Sequence, residues 1–392
     1  MLLLGLLLAG DLRAAEEPKF EAHEWSLWVV DPTFKMANAK DSFPSALPST
    51  AGLLRTGEAT SARAQLAPVS VLSFYGQPVS ALDVSVSIVG GRFLGHWPKT
   101  QEKSRRLRWL NLSATAPGDA PARAYVSPEH WLDRARKLDS LELQQGARSE
   151  RVLAYDAEFN LPAPLVVAGG PDKYQVRNTS SAPLYDVLLC LPTTGGVRIG
   201  WLDALPPAKK GSNAGKSSAP KDKATGESDV IMSSPLAPGS EPFERQAPGE
   251  IRRRLLSAGL KAAEADVLLS LAAGPVLKPR EMVALVRLSP GTIEEHVPLE
   301  IVPEPSKTVR VALLLLQHID PAMQQEAESL VAQLGDPSYA KREAAEKRLA
   351  ELGALARPDL EKALKATDLE IVFRAERLLE SSKTDPKTAN KP

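Results

Sequence analysis

The sequence predicts a mainly β, sandwich-like protein with a small all-α helical appendage at its C-terminal end. Three observations predict it. Up to residue 205 the apolar residues fall in short runs, several of which alternate with polar ones as a half-buried strand does. The 33 prolines, with many glycines, break these runs and disfavour long helices. From residue 321 onward the apolar period lengthens to that of a helix.

Taken in order, residues 25–30 and 69–75 read as strands. In 81–89, Leu82, Val84, Val86 and Ile88 point one way and Asp83, Ser85 and Ser87 the other, a period of two. Residues 105–112 read as a further strand, and 114–124, rich in Ala, Pro and Gly, as a loop. Ser127 as N-cap and Pro128 as the first residue predict a short helix over 127–138 with His130 as its third residue. Strands resume at 152–155, 165–168, 174–177, 185–191 and 197–201, spaced by turn residues as in a sandwich. Residues 206–248 hold too few apolar residues to offset the entropy of ordering and read as disordered. Helices follow at 250–258 and 261–272, then strands at 282–288, 296–302 and 309–316.

Four helices complete the chain. Leu349, Leu352, Leu364 and Leu378 are expected to face one small core, with the helix at 323–334 resting against the β region. The domain organisation is thus a signal peptide (1–15), a β-sandwich-like region (19–205), a disordered linker or insert (206–248), helices then strands completing the β region (249–318), a helical unit (321–383) and a loose tail (384–392). The signal peptide is read from the apolar opening of roughly ten residues, which suits such a core and falls short of the about 20 of a bilayer span. No transmembrane segment is expected after its removal, and export to the periplasm or cell envelope follows.

Charge and composition narrow the function. Lys plus Arg and Asp plus Glu both number 48, so nothing electrostatic favours nucleic acid or an anionic membrane. Cys190 is the single cysteine, which excludes an intramolecular disulfide; in its apolar run it reads as a small buried hydrophobe. The stretch from Gly211 to Ser217 imitates a phosphate loop but has three residues, not four, between Gly211 and Gly215, and lacks a preceding strand. There is no nucleophile elbow and no paired-histidine zinc motif, and the five histidines are scattered. No cofactor is implied. The one cluster with chemistry is His23, Glu24 and Trp25, because a histidine beside a carboxylate can ligate a metal or act as a general base. Glu294, Glu295 and His296 are its candidate partners. The competing reading is packing: His23 and Trp25 share one face of a strand, and a buried Trp beside a hydrogen-bonded His is ordinary in a sandwich.

Two stretches resemble known families. Residues 19–28, with Ala22, His23, Glu24 and Trp25, are similar to the opening of a group of uncharacterised exported bacterial proteins whose mature chains begin with Ala-His-Glu-Trp-Gly-Thr-Phe or a close variant. Ser26 and Trp28 depart from that pattern, and further echoes run through residues 19–318. The resemblance implies export and a β-rich fold and no known chemistry. Residues 334–360 resemble a HEAT-like helical hairpin, which implies protein–protein contact. The expected function is therefore non-catalytic binding or scaffolding, with another protein as partner through the C-terminal helices. The alternative is a metal-assisted hydrolase using His23, Glu24 and His296.

Overall fold

The structure is a computed structural model that describes residues 19–30, 69–118, 126, 128, 130–146, 148–159, 161–208 and 226–384. The expected signal peptide, the phosphate-loop-like stretch, Ser127 and residues 385–392 lie outside the described residues.

An eight-stranded sheet organises the chain. Its strands are β1 (Phe20–Val30), β2 (Val69–Gly76), β4 (Gly91–Trp97), β9 (Leu153–Phe159), β12 (Leu184–Thr193), β13 (Gly196–Leu205), β15 (Val283–Leu288) and β17 (Lys307–Leu316). Their order is β13-β12-β15-β17-β1-β2-β9-β4. Within it β1 and β17 run parallel, Glu24 opposite Arg310, and the other neighbours are antiparallel. A second sheet holds β3 (Val79–Ser87), β5 (Gln101–Lys103), β6 (Arg106–Thr115), β7 (Glu142–Gln145), β8 (Arg148–Glu150) and β16 (Leu299–Val302). A third holds β10 (Leu165–Gly170), β11 (Lys173–Asn178) and β14 (Glu227–Ile231).

The large sheet is covered on both faces. One face packs on the two smaller sheets: Phe20, Ala22 and Trp28 of β1 and Phe74 of β2 meet Leu82, Trp109, Val167 and Val176 in one core. The other face is roofed by helices α1 (Trp131–Ala135), α2 (Glu241–Glu244), α3 (Glu250–Ser257) and α4 (Ala262–Leu277). Trp25, Leu27 and Val29 meet Ile251, Leu255 and Leu268 there. Two-sided burial is why β1 and β17 read as nearly continuous apolar runs. The mainly β class and the helical appendage are both present; the roof of helices makes the body three layers deep rather than a simple sandwich.

Three local expectations are corrected. Residues 226–248 are ordered: β14 buries Val230, Met232 follows it into the same core, and Phe243 of α2 anchors a π-helical turn, Arg245–Gly249, that leads into α3. Three apolar anchors hold an otherwise polar segment. Second, residues 290–296 form α5 (Pro290–His296), capped by the Ser289 hydroxyl on the Thr292 N–H, so His296 ends a helix and the strand starts at Leu299. Third, His130 is the N-cap of α1 and not its third residue; its side chain accepts from the Leu132 N–H.

The C-terminal unit comprises α6 (Pro321–Gln333), α7 (Tyr339–Leu352), α8 (Arg357–Ala363) and α9 (Leu369–Thr384). Its core is separate and small, built from Leu334, Leu349, Leu360, Leu378 and several alanines. Leu349 and Leu378 point inward as expected, whereas Leu364 is 40% exposed and outside that core. Helix α6 lies against β10, which docks the unit on the body. Among the described residues no helix is long and apolar enough to cross a membrane.

Candidate functional site

Strand β1 carries His23, Glu24 and Trp25, the three residues singled out by sequence, and the pleat separates Glu24 from the other two. His23 and Trp25 face the helical roof; Glu24 faces the smaller sheets with Ala22 and Trp28. Neighbours in sequence, they belong to different clusters on opposite sides of the sheet.

On the roof side, the His23 Nδ1 is 2.8 Å from Glu264 Oε2 and Nε2 is 3.2 Å from Glu21 Oε2. Carboxylate oxygens only accept, so in either contact the donor is a ring N–H. Glu264 is 0% exposed and His23 2%. Glu264 also accepts from the Tyr75 hydroxyl at 2.9 Å and from the Lys261 backbone N–H at 2.9 Å. That last bond closes a capping box on α4, with Lys261 at the N-cap and Glu264 three residues on. The Lys261 ammonium lies over the Tyr75 ring, 4.4 Å from its centre. Burial, then the Glu264 carboxylate, push the Tyr75 hydroxyl well above its ordinary range; the hydrogen bond from His23 holds Glu21 below its own. The cluster staples α4 to β1 and β2.

On the other side, Glu24 accepts from the Tyr155 hydroxyl and the Arg310 Nε, both at 2.6 Å. Arg310 also donates to the Val297 carbonyl at 2.7 Å and pairs with Glu294. Burial, then the Glu24 charge, raise Tyr155 well above the usual phenol range. This second cluster ties β1, β9 and β17 to α5.

The structure therefore brings Glu294 to Glu24 through Arg310. It places His296 elsewhere: its Nδ1 donates to the Thr292 carbonyl at 3.0 Å and its ring lies 5.5 Å from that of Phe159. Trp25 sits in the roof-side core, its indole N–H without a partner among the described residues. No group of three or more His, Cys, Asp or Glu side chains among the described residues could hold a metal ion. Reading by sequence missed Glu264, Tyr75, Tyr155 and Arg310. Arg310 had a signal: a lone charge inside the apolar run of β17 needs a buried partner, and Glu24 is the matching lone charge in β1.

Two further features stand apart. Asp156 on β9 is buried, its Oδ2 finds no partner among the described residues, and burial pushes its carboxyl up to about 8. The helical unit, in contrast, leaves several large side chains in solvent. Tyr339 is 64% exposed, Leu369 81% and Phe373 60%, with the Arg342 guanidinium over the Tyr339 ring and that of Arg377 over Phe373. No known family model matches the chain, and no curated protein matches it either.

Proposed function

We propose that this chain is a non-catalytic binding or scaffolding protein whose C-terminal helices contact another protein. One observation carries the reading: aromatic side chains of the helical unit are open to solvent, whereas the His23 and Glu24 clusters singled out for chemistry are buried and internally paired. The exposed Tyr339 and Phe373 rings, each with an arginine guanidinium (Arg342 and Arg377) over it, supply the aromatic and arginine chemistry enriched at protein interfaces. His23, Glu24, Glu264 and Arg310 are buried and saturated by one another. The resemblance of residues 334–360 to a HEAT-like hairpin supports the same reading. Export, with the periplasm or envelope as the place of work, belongs to the proposal through the apolar opening and the resemblance of residues 19–28.

The test is a photo-cross-linking amino acid placed at Phe373 in the producing cell, with the exposed Val89 of the body as control. A covalent adduct at position 373 and none at 89 is expected. Absence of any adduct at 373, in protein that accumulates normally, would remove the support. N-terminal sequencing of the same material tests export, with a start near Ala15 or Glu16 expected.

A further inference from the structure

The two hairpins of the helical unit share a 30-residue spacing of their core and seam positions. Leu360 follows Leu330 by 30 residues, Leu364 follows Leu334, Ala375 follows Ala345, Glu376 follows Glu346, Arg377 follows Lys347 and Leu379 follows Leu349. At this spacing the second half of α6 and the body of α7 are matched by α8 and α9, while the first residues of α6 fall opposite the end of α7 and the 3-10 turn that follows it. Equivalent positions differ in burial according to what covers them. Leu334 is 0% exposed, while its equivalent Leu364 is open. The first hairpin is covered by the second: a Cβ at Gly335 would lie 2.6 Å from the Asp368 carboxylate and 2.9 Å from the Ile371 side chain.

The seam between the hairpins has a readable code. Glu343 pairs with Arg374 at 2.9 Å, Glu346 with Arg374 at 2.5 Å and with the Arg377 Nε at 2.6 Å, and Arg342 with Glu370 at 3.2 Å. Partner numbers rise together, so α7 and α9 run parallel. In this seam α7 presents positions 342, 343 and 346, and α9 presents 370, 374 and 377. Advancing the α7 set by one repeat gives Val372, Phe373 and Glu376, the next face of α9. Moving the α9 set back by one repeat gives Ala340, Ala344 and Lys347, the preceding face of α7. Phe373, Glu376, Ala340, Ala344 and Lys347 are all exposed. The two open faces complement each other: an aromatic ring and an acid on one, two alanines that leave room for the ring and a lysine on the other.

We propose that the occupant of this surface is a second copy of the chain, docked head to tail, with α9 of one copy seated on α7 of the next. Phe373 fills the space over Ala340 and Ala344, and Glu376 meets Lys347 as Glu346 meets Arg377 within one chain. The interface is heterologous, so it leaves one open face at each end and adds copies as concentration rises. The inference rests on the reading of the helical unit as a contact surface, and it names the partner.

Sedimentation of the full chain over a wide concentration range tests it. The average mass should climb with concentration. Phe373→Glu blocks one face and Ala344→Glu the other, so each variant alone should associate at least tenfold more weakly, and an equimolar mixture should form a one-to-one dimer through the two intact faces. A second pair, Glu376→Lys with Lys347→Glu, should be weak alone and, on mixing, associate into open alternating chains, because a lysine then meets a glutamate at every junction. Thermal unfolding confirms that each variant folds. A wild-type chain that stays monomeric at every concentration overturns the inference, and so does a mixture no more associated than its components. A cross-link from position 373 to a different protein, with a monomeric wild type, overturns the second-copy occupant alone. No cross-link at all overturns the contact-surface reading with it.

Discussion

In the β body large aromatic side chains such as Trp25 and Trp109 are sealed in the cores, and His23 and Glu24 of β1 are sealed with them; in the helical unit both aromatic residues stand in solvent and the core is left to Leu and Ala. The arginine–carboxylate pair appears in both regions with different consequences. Arg310 and Glu24 are buried, where loss of either strands a charge in an apolar interior. Arg377 and Glu346 lie at a half-exposed seam, where water screens the pair and its worth is small. The difference separates residues that hold the fold from residues free to contact something else.

The sharpest break is Glu24→Ala, which removes the buried carboxylate from Arg310 and leaves it only the solvent-exposed Glu294 as an ion-pair partner among the described residues. It should lower stability by about 3–5 kcal/mol, read from urea unfolding; a loss below about 1 kcal/mol would mean that Arg310 escapes to solvent. Next comes Leu349→Ala in the helical core, expected to cost about 2–3 kcal/mol and to melt the helices at a lower temperature than the β body. A single shared transition at the original midpoint would contradict separate cores.

Asp156 gives a pH signature. Its folded carboxyl keeps a proton up to about 8, whereas the unfolded chain releases it near the ordinary 3.8. The native state then holds more protons across that window, so stability falls as pH rises from about 4 to about 8 and levels off above it. Asp156→Asn should remove this slope and raise stability at pH 8 by about 1–3 kcal/mol. An unchanged slope in thermal unfolding against pH would show that Asp156 is not its source. The smallest effect belongs to Leu364→Ala, which should shift stability by less than about 0.5 kcal/mol despite removing a leucine. A cost equal to that of Leu349→Ala would show that Leu364 is covered in solution.

Much of this was legible in residue order. The runs of β1 and β17 announced strands, and the period after residue 321 announced helices. The misread places had conflicting local signals. At 290–302 the Ser289 cap and Pro290 start a helix, yet Val297, Leu299, Ile301 and Val302 suggest a strand reaching back to His296. At 226–248 a polar composition hid Val230, Met232 and Phe243, whose burial depends on partners far along the chain. The His23 cluster was half legible: histidine and tryptophan on one strand face predicted packing, and packing is what the roof side shows. Glu264 lies 241 residues from His23, a separation that no local pattern encodes.

The parallel pairing of β1 and β17 has a consequence in time. Glu24 and Arg310 are separated by 286 residues, so the innermost strand of the large sheet cannot acquire its neighbour until nearly the whole described chain has been made. Until then β1, apolar on both faces, has β2 on one side and an unpaired edge on the other. Loop closure over such a distance is slow, and an exposed edge invites pairing with other chains. The centre of the finished body is therefore the last part to be secured, and the nascent protein is most exposed to aggregation where the mature one is best protected.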